Sequence, residues 1–204
     1  MIMDFESSNW REDERASIPF WSSVVEDMRA HIPPSSRPQT RRGWAAMGCR
    51  IALESAGFRA VLTYRLGHAA RARMGAPGKL LSGSLHWFGR HWYGCSLPST
   101  ARIYGGLILP HPHGIVIGPD VVLGPRAWLF QNVTLGGAPG KSGMPRIGAD
   151  ARIYAGAVVS GPVALGDNVV VGANAVVHKD MPGGSVARST TSVEARRLPP
   201  NPDK

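Results

Sequence analysis

Two histidines flank a proline at His111-Pro112-His113, directly ahead of Gly-Ile-Val-Ile-Gly, and farther on the segment Gln-Asn-Val-Thr-Leu-Gly-Gly runs from Gln131 to the pair Gly136 and Gly137. An imidazole titrates near neutral pH, so a histidine in a cleft can take the proton from a hydroxyl as its oxygen attacks. Paired glycines let the main chain approach a bound molecule closely. A lone histidine is more often a satisfied surface or core residue. His111 stands out because it sits where a regular spacing of aliphatic residues is broken.

That spacing is six. Leu97, Ile103 and Leu109 begin it, and Ile117, Leu123, Leu129 and Leu135 resume it after a two-residue slip across His111–Val116. Ile147, Ile153, Val159, Leu165, Val171 and Val177 complete it without a slip. Four positions after most of these aliphatics stands a small or β-branched residue, such as Val121, Ala127, Ala157 or Ala175. An α-helix cannot use this period, because six residues turn a side chain about 240° from its starting face. Six residues do make one short strand and a turn, and three such units close a triangular coil with the aliphatic inward. At a break in the march a side chain can leave the wall and project into a cleft. Between Leu135 and Ile147 the march is interrupted by "GGAPGKSGMPR", too rich in Gly and Pro for a strand and expected to arch over the pocket.

Ahead of the repeat the period is helical. "SIPFWSSVVEDMRAHIPP" predicts a short helix capped by Ser17, with Pro19 in its first turn and Pro33 as its stop. "SSRPQTRRG" reads as a linker. Trp44–Met74 predicts helix punctuated at Gly57 and "GAPGK", and a further helix covers Leu80–Tyr93. The aromatic residues Trp87, Phe88, Trp92 and Tyr93 on it read as core or subunit contact. The expected organisation is a helical region over 1–95, a repeat domain over 96–185 and a tail over 186–204.

Composition bounds the rest. The chain has 204 residues, enough to bury a core, and its 43% hydrophobic content rules out general disorder despite 25 Gly and 17 Pro. A net charge of +9 suits an anionic partner or simply solubility. Cys49 and Cys95 are too few for a disulfide framework and fit a reducing cytosol. The charged start "MIMDFESSNWREDERAS" does not resemble a signal peptide, and no run reaches the roughly 20 apolar residues of a membrane span. A cytoplasmic protein is expected.

The repeat half is similar to the left-handed β-helix of the hexapeptide-repeat acyltransferases. Over residues 40–185 it most resembles their serine acetyltransferase branch. "ALESAGFRAVLTYRLGHAARA" resembles the helix before the solenoid, and "HPHGIVIG" followed by "QNVTLGG" resembles the active-site signature. The resemblance implies an all-β left-handed parallel β-helix with an N-terminal α-helical region, working with acetyl-CoA and no metal. It also implies a homotrimer with CoA in the groove between neighbouring solenoids; whether trimers pair into a hexamer through the N-terminal helices is left open by the sequence. His111 falls at the catalytic base, with His113 and Gln131 on the substrate side. Gly136 and Gly137 fall where a backbone N–H meets the oxyanion. Ala155 and Ala173 match small positions lining the CoA channel. Lys179, with Arg188, Arg196 and Arg197, falls near the CoA phosphates, a solvated basic tail being the alternative.

The departures bear on the acceptor. In the serine enzymes an acidic residue precedes the histidine; here it is Pro110. The acid that orients the histidine falls at Ser96, and an Arg-His pair in a loop gives way to a shortened "SGMPRIG" with Met144 in the histidine's place. A zwitterion without counter-charges in a closed pocket costs several kcal/mol. The pattern therefore looks more like the capsular and exopolysaccharide O-acetyltransferases, of the colanic acid type, which implies a carbohydrate acceptor. Serine is the alternative acceptor, and a non-catalytic trimeric scaffold the alternative of another class. A γ-type carbonic anhydrase needs three histidine ligands drawn from neighbouring coils, and here the solenoid has only His111, His113 and His178 with no His-x4-His pair. A nucleotide-sugar N-acetyltransferase uses a differently spaced motif. Nucleic acid is suggested by charge alone.

Overall fold

The computed structural model describes residues 18–189. Four α-helices, Phe20–Ala30 (α1), Arg41–Glu54 (α2), Ala56–Arg73 (α3) and Gly75–Trp92 (α4), precede a solenoid of two- and three-residue strands. The strands form three four-stranded parallel sheets. The first holds Val116–Ile117, Thr134–Gly136, Val158–Ser160 and Val176–Val177; the second Arg102–Ile103, Val122–Leu123, Arg146–Ile147 and Ala164–Leu165. The third holds Trp128–Leu129, Arg152–Ile153, Val170–Val171 and Val186–Ala187. The chain visits them in rotation, which is a left-handed β-helix.

Strand partners stand eighteen positions apart where three hexads close one coil, as in Val170 beside Arg152 or Val176 beside Val158. Every aliphatic of the six-residue march is buried, from Leu97 at 6% exposure to Val177 at 5%, most of them fully. Each contributes about 1.5–3 kcal/mol by leaving water. The slip across His111–Val116 widens the offset to twenty, Arg102 pairing with Val122, and the Gly-rich interruption widens it to twenty-four, Val122 pairing with Arg146. Neither breaks the stack, because extra residues are expelled at corners.

Corners demand left-handed backbone. At the third-to-first corner the residues with positive φ are Gly114, Asn132, Gly156 and Asn174, one above another. A Cβ on Gly156 would stand 2.2 Å from the Asn174 amide oxygen, so glycine there answers both the angle and the space.

Helix boundaries differ from the sequence expectation for local reasons. Pro19 is the N-cap of α1, ahead of its first turn, and the expected cap Ser17 lies outside the described residues. The break between α2 and α3 is at Ser55, whose hydroxyl accepts from the Phe58 N–H at 3.1 Å. Gly57 lies inside α3: its missing Cβ would stand 1.9 Å from the Leu109 carbonyl oxygen, so it serves close packing on the first coil. α2 begins within the expected linker, where the Thr40 hydroxyl accepts from Gly43 N–H at 3.1 Å. α4 begins five residues before Leu80, absorbing "GAPGK". Tyr93 is buried, whereas Trp87, Phe88 and Trp92 are exposed, which corrects the core alternative for these three. Cys49 and Cys95 are both free thiols.

The helices are fastened to the first coil by a buried ion pair. Asp27 of α1 and Arg65 of α3 are 1% and 2% exposed and meet at 2.9 and 3.1 Å. The Asp27 carboxylate also accepts from the N–H groups of Gly106 and Leu107, at 2.8 and 3.0 Å. Arg65 donates to the carbonyls of Ile103 and Tyr104. Beside them, Tyr64 donates to the Ala101 carbonyl at 2.8 Å. Two histidines add lighter ties: His68 Nδ1 donates to the Ser99 carbonyl at 2.9 Å, and His86 Nε2 meets Ser96 Oγ at 3.1 Å.

Two outcomes follow from this docking. Asp27→Ala leaves the Arg65 guanidinium buried without a counter-charge and should cost about 3–5 kcal/mol, measured as a lower urea midpoint. The second concerns pH. Burial holds the pKa of His68 below the ordinary 6.5, against the Ser99 hydrogen bond and with help from Arg65, Arg102 and Arg71; burial and then Arg90 lower that of His86. Both rings bind protons more readily unfolded than folded. Their share of stability is therefore complete above pH 6.5 and is lost as pH falls below it. Tm should drop over that range, and His68→Gln should flatten the drop.

Candidate active site

The rotation of the coil decides which residues share an edge. His111 and His113 lie on the third-to-first corner, and so, on successive coils, do Gln131, Ala155 and Ala173. The main chain ties this edge together: the His113 carbonyl accepts from Asn132 N–H at 3.0 Å, that of Gln131 from Gly156 N–H at 3.0 Å, and that of Ala155 from Asn174 N–H at 2.9 Å. Five of the eight predicted site residues are thus brought onto one column.

The other three are not. Gly136 ends its strand of the first sheet, and Gly137 and Lys179 lie at the first-to-second corner. From Gln131 to Gly137 the chain crosses the whole first sheet, a span of up to roughly 20 Å at about 3.3 Å per extended residue. The Gly-rich loop from 137 to 145 sits on that far edge as well. Met144 folds back against the core cluster, its Sδ 3.4 Å from where a Cβ on Gly118 would stand and its Cε 3.5 Å from the same point on Gly137. Within one chain the loop therefore does not arch over His111, which corrects that expectation. Arg196 and Arg197 lie outside the described residues, and Arg188 is exposed.

The two imidazoles at the corner are exposed, and His111 hydrogen-bonds no described residue. Ser96, the expected counterpart of an orienting acid, is engaged elsewhere: its hydroxyl meets His86 of α4, and its carbonyl accepts from Ile117 N–H at 2.9 Å. Gln131 is half-buried, and its Oε1 is enclosed with no hydrogen-bond partner among the described residues. A buried acceptor left in that state costs about 1–3 kcal/mol. Open space surrounds the Cβ position of Gly136, with no atom within 4 Å.

Sequence reasoning missed the aromatic side of this edge. Phe130 and Tyr154, on successive coils, stack with ring centroids 4.9 Å apart and an interplanar angle of 17°. Each follows an inward aliphatic, Leu129 and Ile153, so the period would have placed both beside Gln131 and Ala155. The His86–Ser96 contact left no such signal, since it depends on how α4 packs. Among the described residues no group of three His, Cys, Asp or Glu side chains could hold a metal. No described helix is long and apolar enough to cross a membrane.

Comparison with known proteins bears on the chemistry of this edge. A family model described as bacterial transferase hexapeptide (six repeats) matches residues 144–179. The chain is 35% identical over 152 residues to the serine acetyltransferase of Helicobacter pylori, covering 74% of this chain and 84% of that protein. It is 33% identical over 141 residues to the serine acetyltransferase of Synechococcus elongatus, covering 68% and 56%. Soybean serine acetyltransferase superposes with a TM-score of 0.68 at 29% identity, over 88% of this chain and 71% of that one. The Neisseria gonorrhoeae enzyme in complex with serine gives 0.69 at 27% identity, over 83% and 68%. These relatives are serine acetyltransferases, so the expected closeness to capsular and exopolysaccharide enzymes is not supported. The chain belongs to the serine acetyltransferase family of hexapeptide-repeat transferases and is an acetyl-CoA-dependent acyltransferase.

Proposed function

We propose that this acyltransferase moves the acetyl group of acetyl-CoA to the hydroxyl of L-serine, with His111 as general base. The observation that carries the reading is the likeness to the Helicobacter pylori serine acetyltransferase, 35% identical over 152 residues and 74% of the chain. His111 takes the hydroxyl proton as the oxygen attacks the thioester carbonyl, and returns it to the departing CoA thiolate. A backbone N–H at Gly136 or Gly137 receives the oxyanion, the Cβ position of Gly136 being open and that of Gly137 flanked by Met144. Gln131 Oε1 accepts from the acceptor, and His113 adds a second polar contact. The small residues Ala155 and Ala173 leave a shallow channel for the pantetheine, and Lys179 meets a phosphate.

These groups lie on two edges of the first sheet, so a complete site needs the His111 edge of one copy against the glycine edge of another. The outer face between those edges carries exposed Val116 and Val176, at 46% and 64%. A homotrimer closed around that face, extended to a hexamer through the helices, satisfies both requirements. The reading places the enzyme in the cytoplasm, where acetyl-CoA is supplied.

A second reading, transfer to a sugar hydroxyl of a capsular or exopolysaccharide or its precursor, is favoured by three side chains. Pro110 precedes His111, Ser96 is bonded to His86, and Met144 is packed on the core, so none offers a charge to an amino acid.

His111→Ala should lower kcat by about two to four orders of magnitude with CoA affinity nearly unchanged. Near-normal turnover would remove His111 from the mechanism. Acetyl-CoA consumption with L-serine, beside neutral and acidic oligosaccharides, separates the two acceptors. A kcat/KM for serine of at least about 10⁴ M⁻¹s⁻¹ establishes the first, whereas turnover confined to a saccharide establishes the second.

A further inference from the structure

Helix α4 carries an apolar face that no described residue covers. At 3.6 residues per turn, Leu80, Leu81, Trp87, Phe88 and Trp92 fall on one side of it, opposite the buried Gly78 and Ser82. Leu80 is 76% exposed, Trp87 63% and Trp92 73%, and Leu81 and Phe88 are exposed as well. Phe88 and Trp92 stack with ring centroids 5.6 Å apart, making one flat aromatic surface. The face continues into a groove of about 450 Å³ against α3, lined by Leu66, Met74, Leu81 and Leu85 and by Arg73. A contiguous exposed apolar patch of this kind marks an interaction site.

The charges around the face decide what it meets. From Ser55 to Pro119 the chain has no Asp or Glu. Lys79 and Arg90 border the apolar side of α4, and Arg71 and Arg73 stand in the last turn of α3. All four are exposed and have no ion-pair partner among the described residues. A second copy docked here by a twofold axis would set the face against itself. Cation would then face cation with no carboxylate between them, which leaves any pairing of trimers to the other helices.

We infer that α4 lays this face on an anionic lipid bilayer, as a helix lying in the interface. No described helix is long and apolar enough to cross a membrane, so the contact is with one leaflet. An indole is suited to that depth, with its ring among the acyl chains and its N–H in the wet headgroup layer. Leu80, Leu81 and Phe88 add apolar area, while Arg73, Lys79 and Arg90 meet the phosphates of acidic headgroups. The inference does not depend on which hydroxyl is acetylated.

Flotation of the full-length protein with vesicles tests it, using phosphatidylcholine alone and an equal mixture with phosphatidylglycerol. The protein should float with the mixed vesicles, its tryptophan emission shifting to the blue, and should bind phosphatidylcholine alone at least about tenfold more weakly. Trp87→Ser combined with Trp92→Ser should lower partition into mixed vesicles at least about tenfold. Lys79→Gln and Arg90→Gln should each lower it about fivefold. These side chains are exposed, so Tm and CoA binding should be unchanged, which separates lost docking from lost folding. No flotation, equal flotation with the two lipids, or equal flotation of the tryptophan variant overturns the inference. So does a mass in solution that halves in the tryptophan variant, because a second copy then covers the face.

Discussion

An aliphatic side chain at every sixth position has to point into a prism too narrow for anything but those side chains. Everything else in the structure follows from keeping that bore filled. Eighteen residues close a coil, each coil rests on the one before, and strands of two or three residues suffice because the inner ones are paired on both sides. Extra residues are tolerated only where they leave the stack intact, which is at the corners. That is why the two-residue slip and the Gly-rich interruption both become edge features, and why edges, not faces, carry the polar groups suited to catalysis.

Two departures from strict repetition thus build two half-sites. The slip puts His111 and His113 on one edge above Gln131, Ala155 and Ala173; the interruption puts Gly137 and the loop on another. The first sheet separates them by its full width, and its outer valines are the apolar surface a second copy would cover. Geometry within one chain is incomplete in a way that assembly around that sheet remedies.

The helices meet the solenoid through Ala60, Val61 and Tyr64 of α3, which join its core cluster, while α4 leaves Trp87 and Trp92 in solvent. The Asp27–Arg65 pair fixes the orientation of that contact, satisfying backbone groups of the first coil that have no strand beneath. It also brings α1 over the third sheet, leaving between them a groove lined by Arg29, Arg37, Arg126 and Arg152. Overall likeness argues for serine as acceptor, while Pro110, Ser96 and Met144 lack the charges an amino acid would need. Likeness is dominated by the repeat and by the machinery of acetyl transfer, which any hydroxyl acceptor shares; the few side chains that choose the acceptor weigh little in it.

The solenoid, its core and the column of residues at the His111 corner were legible in the order of residues, because a period of six has one geometric solution and each corner recurs every three hexads. Helix ends were less so. Gly57 reads as a breaker in sequence, yet it lies within α3 because Leu109 passes against it. The separation of Gly137 from His111, the pairing of Ser96 with His86, and the groove under α1 were decided by tertiary packing. Each depends on which elements meet across dozens of residues, through contacts such as Asp27 with Gly106 that no local pattern encodes.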